Sequence, residues 1–146
     1  MTFDLRDLYS DILLDHSRSP RNRRELPAPP AAFVEGDNPL CGDRVKFFVR
    51  VRDGVVEDAS YTGAGCAISL ASASLACDAV RGKRADEADA IARSFIEHFT
   101  AETPSDLPGD LAALSNVRTL PMRVKCATLA WRAMREAIQE ARGAQP

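Results

Sequence analysis

The sequence predicts an α+β fold in which helices pack on one face of a small antiparallel sheet of about three strands. We expect one such domain over residues 1–146. Two patterns predict this fold. The first half contains alternating apolar and polar residues around an Asp53-Gly54 pair, as in a β-hairpin. The second half has apolar residues at helical spacing in several separate stretches.

The predicted hairpin consists of residues 45–51 and the return strand 55–62. The first of these strands alternates apolar and polar side chains, which is typical of a half-buried strand. Asp53-Gly54 suits the turn because both central positions of such a turn have positive φ. We expect the region around Val34 to add a third strand before the hairpin.

The spacing of apolar residues and the positions of helix-breaking glycines and prolines predict the helices. Residues 4–16 are predicted to form an amphipathic helix. Residues 67–80 form a helix of small side chains, and residues 88–99 form a second amphipathic helix. Residues 110–114 are expected to be one short helix. A long terminal helix starts near Pro121, a residue suited to a first helical turn.

Composition limits the function classes. The net charge is −2, and the 19 basic residues are interspersed with 21 acidic ones, so nothing favours nucleic-acid or membrane binding. The charged N-terminus has no signal-peptide core, and no stretch reaches the length needed to span a bilayer. We therefore expect a cytoplasmic protein, in which thiols stay reduced. Its four cysteines then favour metal binding or reactivity, the alternative being small buried apolar residues.

Three cysteines and one carboxylate form a candidate metal-binding set: Cys41, Asp43, Cys66 and Cys126. Three thiols plus a carboxylate suit a tetrahedral zinc site or an iron–sulfur site. Their spacing matches no generic zinc-finger pattern, so these residues alone leave the metal open. Asp43 could instead be a turn residue that hydrogen-bonds its own backbone.

The residues around each cysteine predict different surroundings for the four thiols. Cys66 follows a glycine-containing turn and begins a predicted helix, where free backbone N–H groups favour a thiolate. Cys126 falls in the first turns of the terminal helix, directly after Lys125. Cys77 shares a helical stripe with apolar residues and is expected in the core. The alternatives are that Cys66 is a buried junction residue, and that Lys125 and Arg123 form a solvated helix face.

Several motifs, in order along nearly the whole chain, resemble those of one family. They are Leu8-Tyr9 through Asp15-His16, Ser19-Pro20-Arg21-Asn22, Asn38-Pro39-Leu40-Cys41-Gly42-Asp43, Gly63-Ala64-Gly65-Cys66-Ala67-Ile68-Ser69 with Ala71-Ser72-Ala73-Ser74, and Arg123-Val124-Lys125-Cys126-Ala127-Thr128-Leu129-Ala130-Trp131. On these motifs the chain resembles the SufU group, the zinc-dependent branch of the IscU/NifU-N-like iron–sulfur cluster assembly family. Lys125 stands where IscU proteins have a histidine, and the segment between Cys66 and Cys126 is longer than in IscU.

The resemblance implies that Cys41, Asp43, Cys66 and Cys126 bind one Zn²⁺ ion. It also implies that Cys41 accepts persulfide sulfur from a SufS-type, PLP-dependent cysteine desulfurase, the PLP belonging to that partner. The protein would then be a sulfurtransferase-like sulfur acceptor and activator, feeding the downstream iron–sulfur assembly machinery. Arg123 and Lys125 would contribute to the surroundings of the metal or to partner contact.

Two other functions stay open at this point. The same four residues could hold iron or a 2Fe–2S cluster, as in an IscU-type scaffold. Alternatively, the chain could be an interaction domain held together by a structural zinc ion.

Overall fold

The computed structural model describes residues 15–16, 22–27, 30–39, 42–101, 107 and 109–143. From residue 30 onward, the described part of the chain forms three strands, followed by three α-helices and one 3₁₀ helix, which confirms the predicted α+β fold. In chain order they are β1 (Ala32–Asn38), β2 (Asp43–Arg52), β3 (Val55–Ala64), α1 (Ala67–Val80), α2 (Ala85–Thr100), the 3₁₀ helix (Gly109–Thr119) and α3 (Pro121–Gly143).

The sheet has the order β1-β2-β3, and each neighbouring pair is antiparallel. Its central strand buries Val45, Phe47 and Val49 completely, the same face that the alternation predicts. The turn between β2 and β3 has φ of 54° at Asp53 and 77° at Gly54, so the predicted positive φ values are confirmed. The expected third strand is β1, which completes the sheet.

The helices cover one face of this sheet. α3 packs across β1 and β2, while α1 packs on β2 and β3. Gly36 in β1 allows the close approach of α3, because an added Cβ there would lie 3.1 Å from Cδ1 of Leu129. On the opposite face, Phe48 of β2 forms a small separate cluster with Leu26 and Ala31.

The helical layer has a shared aromatic and aliphatic core. Trp131 of α3 stacks on Phe95 of α2, with ring centroids 4.1 Å apart and an interplanar angle of 11°. Cys77 of α1 is fully buried, as its helical stripe predicts. Burial raises the pKa of the Cys77 thiol, which therefore stays neutral and acts as a small apolar core residue.

The short helix predicted at 110–114 is in fact the 3₁₀ helix Gly109–Thr119. The predicted helix was therefore too short. Leu111, Leu114 and Val117 recur every third residue, which is the period of a 3₁₀ helix, and all three are buried. No helix in the described part of the chain is long and apolar enough to cross a membrane.

The predicted helix 4–16 lies outside the described residues except for Asp15 and His16, which are both helical. His16 is buried, and its Nδ1 lies 2.7 Å from Oγ of Ser74 in α1. Asn22 donates hydrogen bonds from Nδ2 to the carbonyl oxygen of Ser74, at 3.0 Å, and to Oδ1 of Asp78, also at 3.0 Å. These contacts fix the segment before the sheet against the back of α1.

Candidate metal centre

Asp43 and Cys66 meet at one end of the β2–β3 hairpin. Asp43 is the first residue of β2, and Cys66 follows the last residue of β3 by two positions. Because Arg44 pairs with Ala64 across the ladder, the two ends lie side by side. Oδ1 of Asp43 accepts a 2.9 Å hydrogen bond from the backbone N–H of Cys66, and Oδ2 lies 3.8 Å from Sγ of Cys66.

Two glycines make this approach possible. At Gly65, an added Cβ would lie 2.5 Å from Oδ1 of Asp43, so any side chain there would displace the carboxylate. At Gly63, φ is +147° and an added Cβ would lie 2.1 Å from the carbonyl oxygen of Arg44. The glycines before Cys66 are therefore required by the close packing of β2 against the turn.

Cys66 is the N-cap residue of α1, as the sequence predicts for a cysteine at a helix start. Its Sγ accepts a hydrogen bond from the backbone N–H of Ser69, with an N···S distance of 3.4 Å. The side chain is only partly buried. The sulfur thus satisfies one of the backbone N–H groups that lack an intrahelical partner at the start of α1.

Cys126 brings a second thiol to the same place from a different helix. It lies in the second turn of α3 and is fully buried. The ligand atoms of Asp43, Cys66 and Cys126 all lie within 4.8 Å of one another. The fold therefore gathers three of the four predicted ligands, from β2, from the start of α1 and from α3.

Cys41, the fourth predicted ligand, lies outside the described residues. Covalent geometry still limits its distance, because one residue separates it from Asp43 and the two Cα atoms are at most about 7 Å apart. The connection between β1 and β2 closes with a 2.9 Å hydrogen bond from the N–H of Gly42 to the carbonyl oxygen of Asn38. The role of Cys41 as a metal ligand stays a prediction.

The donor set fits a tetrahedral thiolate-rich metal. Zinc–sulfur bonds of about 2.3 Å and zinc–oxygen bonds of about 2.1 Å place tetrahedral donors roughly 3.5–3.8 Å apart. Sγ of Cys66 and Oδ2 of Asp43 are already 3.8 Å apart, and no donor pair in the cluster exceeds 4.8 Å. Two thiols and a carboxylate suit zinc, and they also suit iron or an iron–sulfur cluster.

Lys125 and Arg123 have different surroundings from the ligands. Lys125 is exposed and lines a cleft of about 430 Å³ between the end of β1 and α3, together with Asn38, Val124, Leu129 and Arg132. Arg123 is partly buried in the first turn of α3, where its backbone N–H donates to the carbonyl oxygen of Leu120 at 2.8 Å. Lys125 thus lies on the surface beside the cluster.

The sequence did not single out the serines of α1 as residues of the site. Two of them hold α3 in place beside it. Oγ of Ser69 donates to the carbonyl oxygen of Cys126 at 3.4 Å, and Oγ of Ser72 donates to that of Ala127. The available signal was a row of small polar residues inside an otherwise apolar helix.

Sequence comparisons relate the chain to one protein family. The model of the family described as "NifU-like N terminal domain" matches residues 8–145. The zinc-dependent sulfurtransferase SufU of Bacillus subtilis is 35% identical over 142 residues, with 96% of this chain and 95% of the relative covered. The iron–sulfur cluster assembly scaffold protein IscU of Streptococcus pyogenes is 39% identical over 143 residues, with 97% and 89% covered.

Solved structures show the same fold. A putative iron–sulfur cluster assembly scaffold protein for the SUF system, from Fervidobacterium islandicum, superposes with a TM-score of 0.83 at 26% identity, covering 92% of this chain and 99% of that chain. The N-terminal part of a NifU-like protein from Brucella abortus superposes with a TM-score of 0.82 at 26% identity, covering 95% and 97%.

Proposed function

Because the chain belongs to the NifU-like N-terminal domain family, we propose that it is a zinc-dependent sulfur-transfer protein of iron–sulfur cluster assembly. The observation that carries the proposal is the convergence of Asp43, Cys66 and Cys126, whose ligand atoms lie within 4.8 Å of one another. The relative from Bacillus subtilis, whose name is that of a zinc-dependent sulfurtransferase, supports the choice of metal and of reaction.

In this proposal, Cys41, Asp43, Cys66 and Cys126 hold one Zn²⁺ ion. Zinc would keep the thiols deprotonated and would supply no redox chemistry of its own. Asp43 and Cys126 are nearly or completely buried. The hydrogen bond from Cys66 N–H orients the Asp43 carboxylate. These contacts support a fixed part of the site made by Asp43, Cys66 and Cys126.

Cys41 is the proposed sulfur acceptor. Its thiolate attacks the outer sulfur of a persulfide carried by a SufS-type, PLP-dependent cysteine desulfurase. A new S–S bond forms on Cys41, the S–S bond of the donor breaks, and the donor cysteine leaves as a thiolate. No net oxidation occurs, and the PLP stays with the desulfurase. The sulfur then passes to the downstream iron–sulfur assembly machinery.

The surface beside the site supports contact with such a partner. Lys125 and Arg132 are exposed along the cleft, and neither forms an ion pair within the described part of the chain. Val124 and Leu129 give the cleft an apolar wall. A polypeptide that reaches Cys41 would pass close to this cleft, since Lys125 precedes the ligand Cys126 and Asn38 pairs with the ligand Asp43.

A cluster scaffold is the second candidate function, favoured by the relative from Streptococcus pyogenes, whose name is that of a scaffold. Analysis of the purified protein separates the two. The sulfur-transfer function predicts about one zinc per chain and a colourless protein. A brown protein with acid-labile sulfide would support a 2Fe–2S cluster on the same residues.

Desulfurase turnover tests the role of Cys41 and also a third possibility, a purely structural zinc ion. We expect wild-type protein to accelerate turnover and Cys41→Ala to lose this effect while remaining folded. A matched control is Cys77→Ala, which changes a buried thiol outside the site. Activation by Cys41→Ala at the wild-type level would rule out the proposed relay. Unfolding of Cys41→Ala would instead favour a structural zinc ion.

A further inference from the structure

Ser69 of α1 contacts both described cysteines of the site. Its backbone N–H donates to Sγ of Cys66, and its hydroxyl donates to the carbonyl oxygen of Cys126, each with a donor–acceptor distance of 3.4 Å. The residue is completely buried, so water does not compete for either contact. One side chain therefore links the helix that starts at Cys66 to the helix that carries Cys126.

Ser72 repeats this link one turn further along α1. Its hydroxyl donates to the carbonyl oxygen of Ala127 and accepts a 2.9 Å hydrogen bond from Nε1 of Trp131. It is also completely buried. Two hydroxyls three residues apart on α1 thus bind the carbonyls of two consecutive residues, Cys126 and Ala127, on α3.

Hydrogen bonds can fix the position of α3 along its axis relative to α1, which apolar packing alone does not determine. Hydrophobic contacts are non-directional, and an α-helix that slips by one residue moves about 1.5 Å along its axis. Such a slip would break both serine bonds at once. Metal–ligand distances tolerate deviations of only about 0.2 Å. The register of α3 against α1 therefore decides whether the two sulfurs sit at bonding distance from one ion.

We propose that Ser69 and Ser72 are positioning residues that set the separation of the Cys66 and Cys126 sulfurs, and thereby the metal affinity of the site. The inference rests on the metal-binding part of the proposed function and is independent of sulfur transfer to Cys41. Neither serine touches the metal in this proposal. Each acts through the backbone of α3.

The chain offers a matched control in Ser74. It lies on the same helix and is equally buried, but its hydroxyl contacts His16 Nδ1 at 2.7 Å and Asn22 Nδ2 at 3.2 Å, on the segment before the sheet. The Ser→Ala change removes the same hydroxyl from the same helix in all three variants. The loss of a buried hydroxyl is therefore common to the three variants. They differ in the partner that loses its contact, which is α3 for Ser69 and Ser72 and the segment before the sheet for Ser74.

The experiment measures zinc affinity of the metal-free full chain by competition with a chromophoric chelator. Removing outer hydrogen-bond partners of metal ligands typically weakens binding by about 10- to 100-fold. We expect at least a roughly tenfold loss for Ser69→Ala and Ser72→Ala, and about twofold or less for Ser74→Ala. Cobalt loading gives a second readout, since a changed sulfur geometry alters the thiolate-to-cobalt charge-transfer absorption.

Equal zinc affinities for Ser69→Ala, Ser74→Ala and wild type would overturn the inference, as would an unchanged cobalt spectrum in Ser69→Ala. Thermal unfolding of the metal-free variants checks folding. If Ser72→Ala is unstable, Ser69→Ala alone tests the inference, because the hydrogen bond from Trp131 to Ser72 remains intact in the Ser69→Ala variant.

Wild-type protein that binds no zinc would overturn both this inference and the proposed function. Zinc binding without persulfide formation on Cys41 would overturn only the sulfur-transfer proposal.

Discussion

The backbone N–H of Cys66 donates a 2.9 Å hydrogen bond to Oδ1 of Asp43, which joins the start of α1 to the start of β2. The same carboxylate presents Oδ2 at 3.8 Å from Sγ of Cys66. One oxygen is therefore held by the protein backbone while the other faces the thiol. The backbone hydrogen bond to Oδ1 therefore orients the Asp43 carboxylate, a candidate metal ligand, before any metal binds.

We predict that Asp43→Asn separates folding from metal binding. The amide oxygen of asparagine can still accept the hydrogen bond from Cys66, so the unfolding free energy of the metal-free protein should change little. The anionic donor is lost, so zinc affinity should fall by more than the roughly 10- to 100-fold seen for outer hydrogen-bond partners. Urea unfolding and chelator competition measure the two effects.

Asp43→Ala is the companion variant. It leaves the N–H of Cys66 without its acceptor, and the unfolding free energy should fall by about 1–3 kcal/mol in addition to the loss of zinc binding. Zinc affinity of Asp43→Asn equal to that of wild type would show that Asp43 is no ligand and only holds the start of α1 against β2.

Gly65→Ala should damage the site through a steric effect alone. The added Cβ would lie 2.5 Å from Oδ1 of Asp43, so the carboxylate must move. Overpacking of this kind costs about 1–3 kcal/mol of unfolding free energy, and we expect zinc affinity to fall with it. Gly143→Ala is the control, because an added Cβ there meets nothing within 4 Å. Normal zinc binding by Gly65→Ala would contradict the described position of Asp43.

The buried thiol of Cys77 predicts a loss of stability at alkaline pH. Burial raises its pKa in the folded protein, whereas the unfolded chain releases the proton near the ordinary thiol pKa of about 8.5. Above that pH the unfolded state binds fewer protons than the folded state, so the unfolding free energy falls as pH rises. Urea unfolding between pH 7 and 10 should show a shallower decline for Cys77→Ala. Parallel pH profiles for the two proteins would contradict this explanation.

Asp58 predicts the opposite pH dependence on the acidic side. Burial disfavours its charged form, but hydrogen bonds from Arg24, from the N–H of Ala59 and from Arg81 hold the pKa of Asp58 below its ordinary value. The contribution of Asp58 to the unfolding free energy is complete above about pH 4, the ordinary carboxyl range. This contribution is lost as the pH falls through the lowered pKa of Asp58. Asp58→Asn should therefore be less stable near pH 7 and less sensitive to acid. An unchanged acid profile in urea unfolding would argue against these ion pairs.

Much of the fold follows from local patterns. The alternation around Val45 and Phe47 identifies β2, and Asp53-Gly54 identifies the hairpin. The limits of α1 and the start of α3 at Pro121 also follow, because small-residue runs, glycines and prolines mark them directly. The 3₁₀ helix was predicted too short. Its buried apolar residues recur every third position, a period that differs from that of an α-helix.

The site could be predicted in part. Ligand chemistry singled out Asp43, Cys66 and Cys126, and the fold brings these three together. The serine contacts with α3 could not be predicted, because they join residues 55 and 57 positions apart in the sequence. Such contacts depend on the register between two helices, which no local pattern encodes.

Mass spectrometry of Cys41 after incubation with a PLP-dependent cysteine desulfurase and L-cysteine tests the central claim most directly. The proposed function predicts one added sulfur atom on Cys41 of the zinc-loaded protein, removed by a thiol reductant. Cys77 should remain unmodified, since it is fully buried. Full desulfurase activation with no sulfur on Cys41 at any time point, or sulfur found only on another cysteine, would contradict the account.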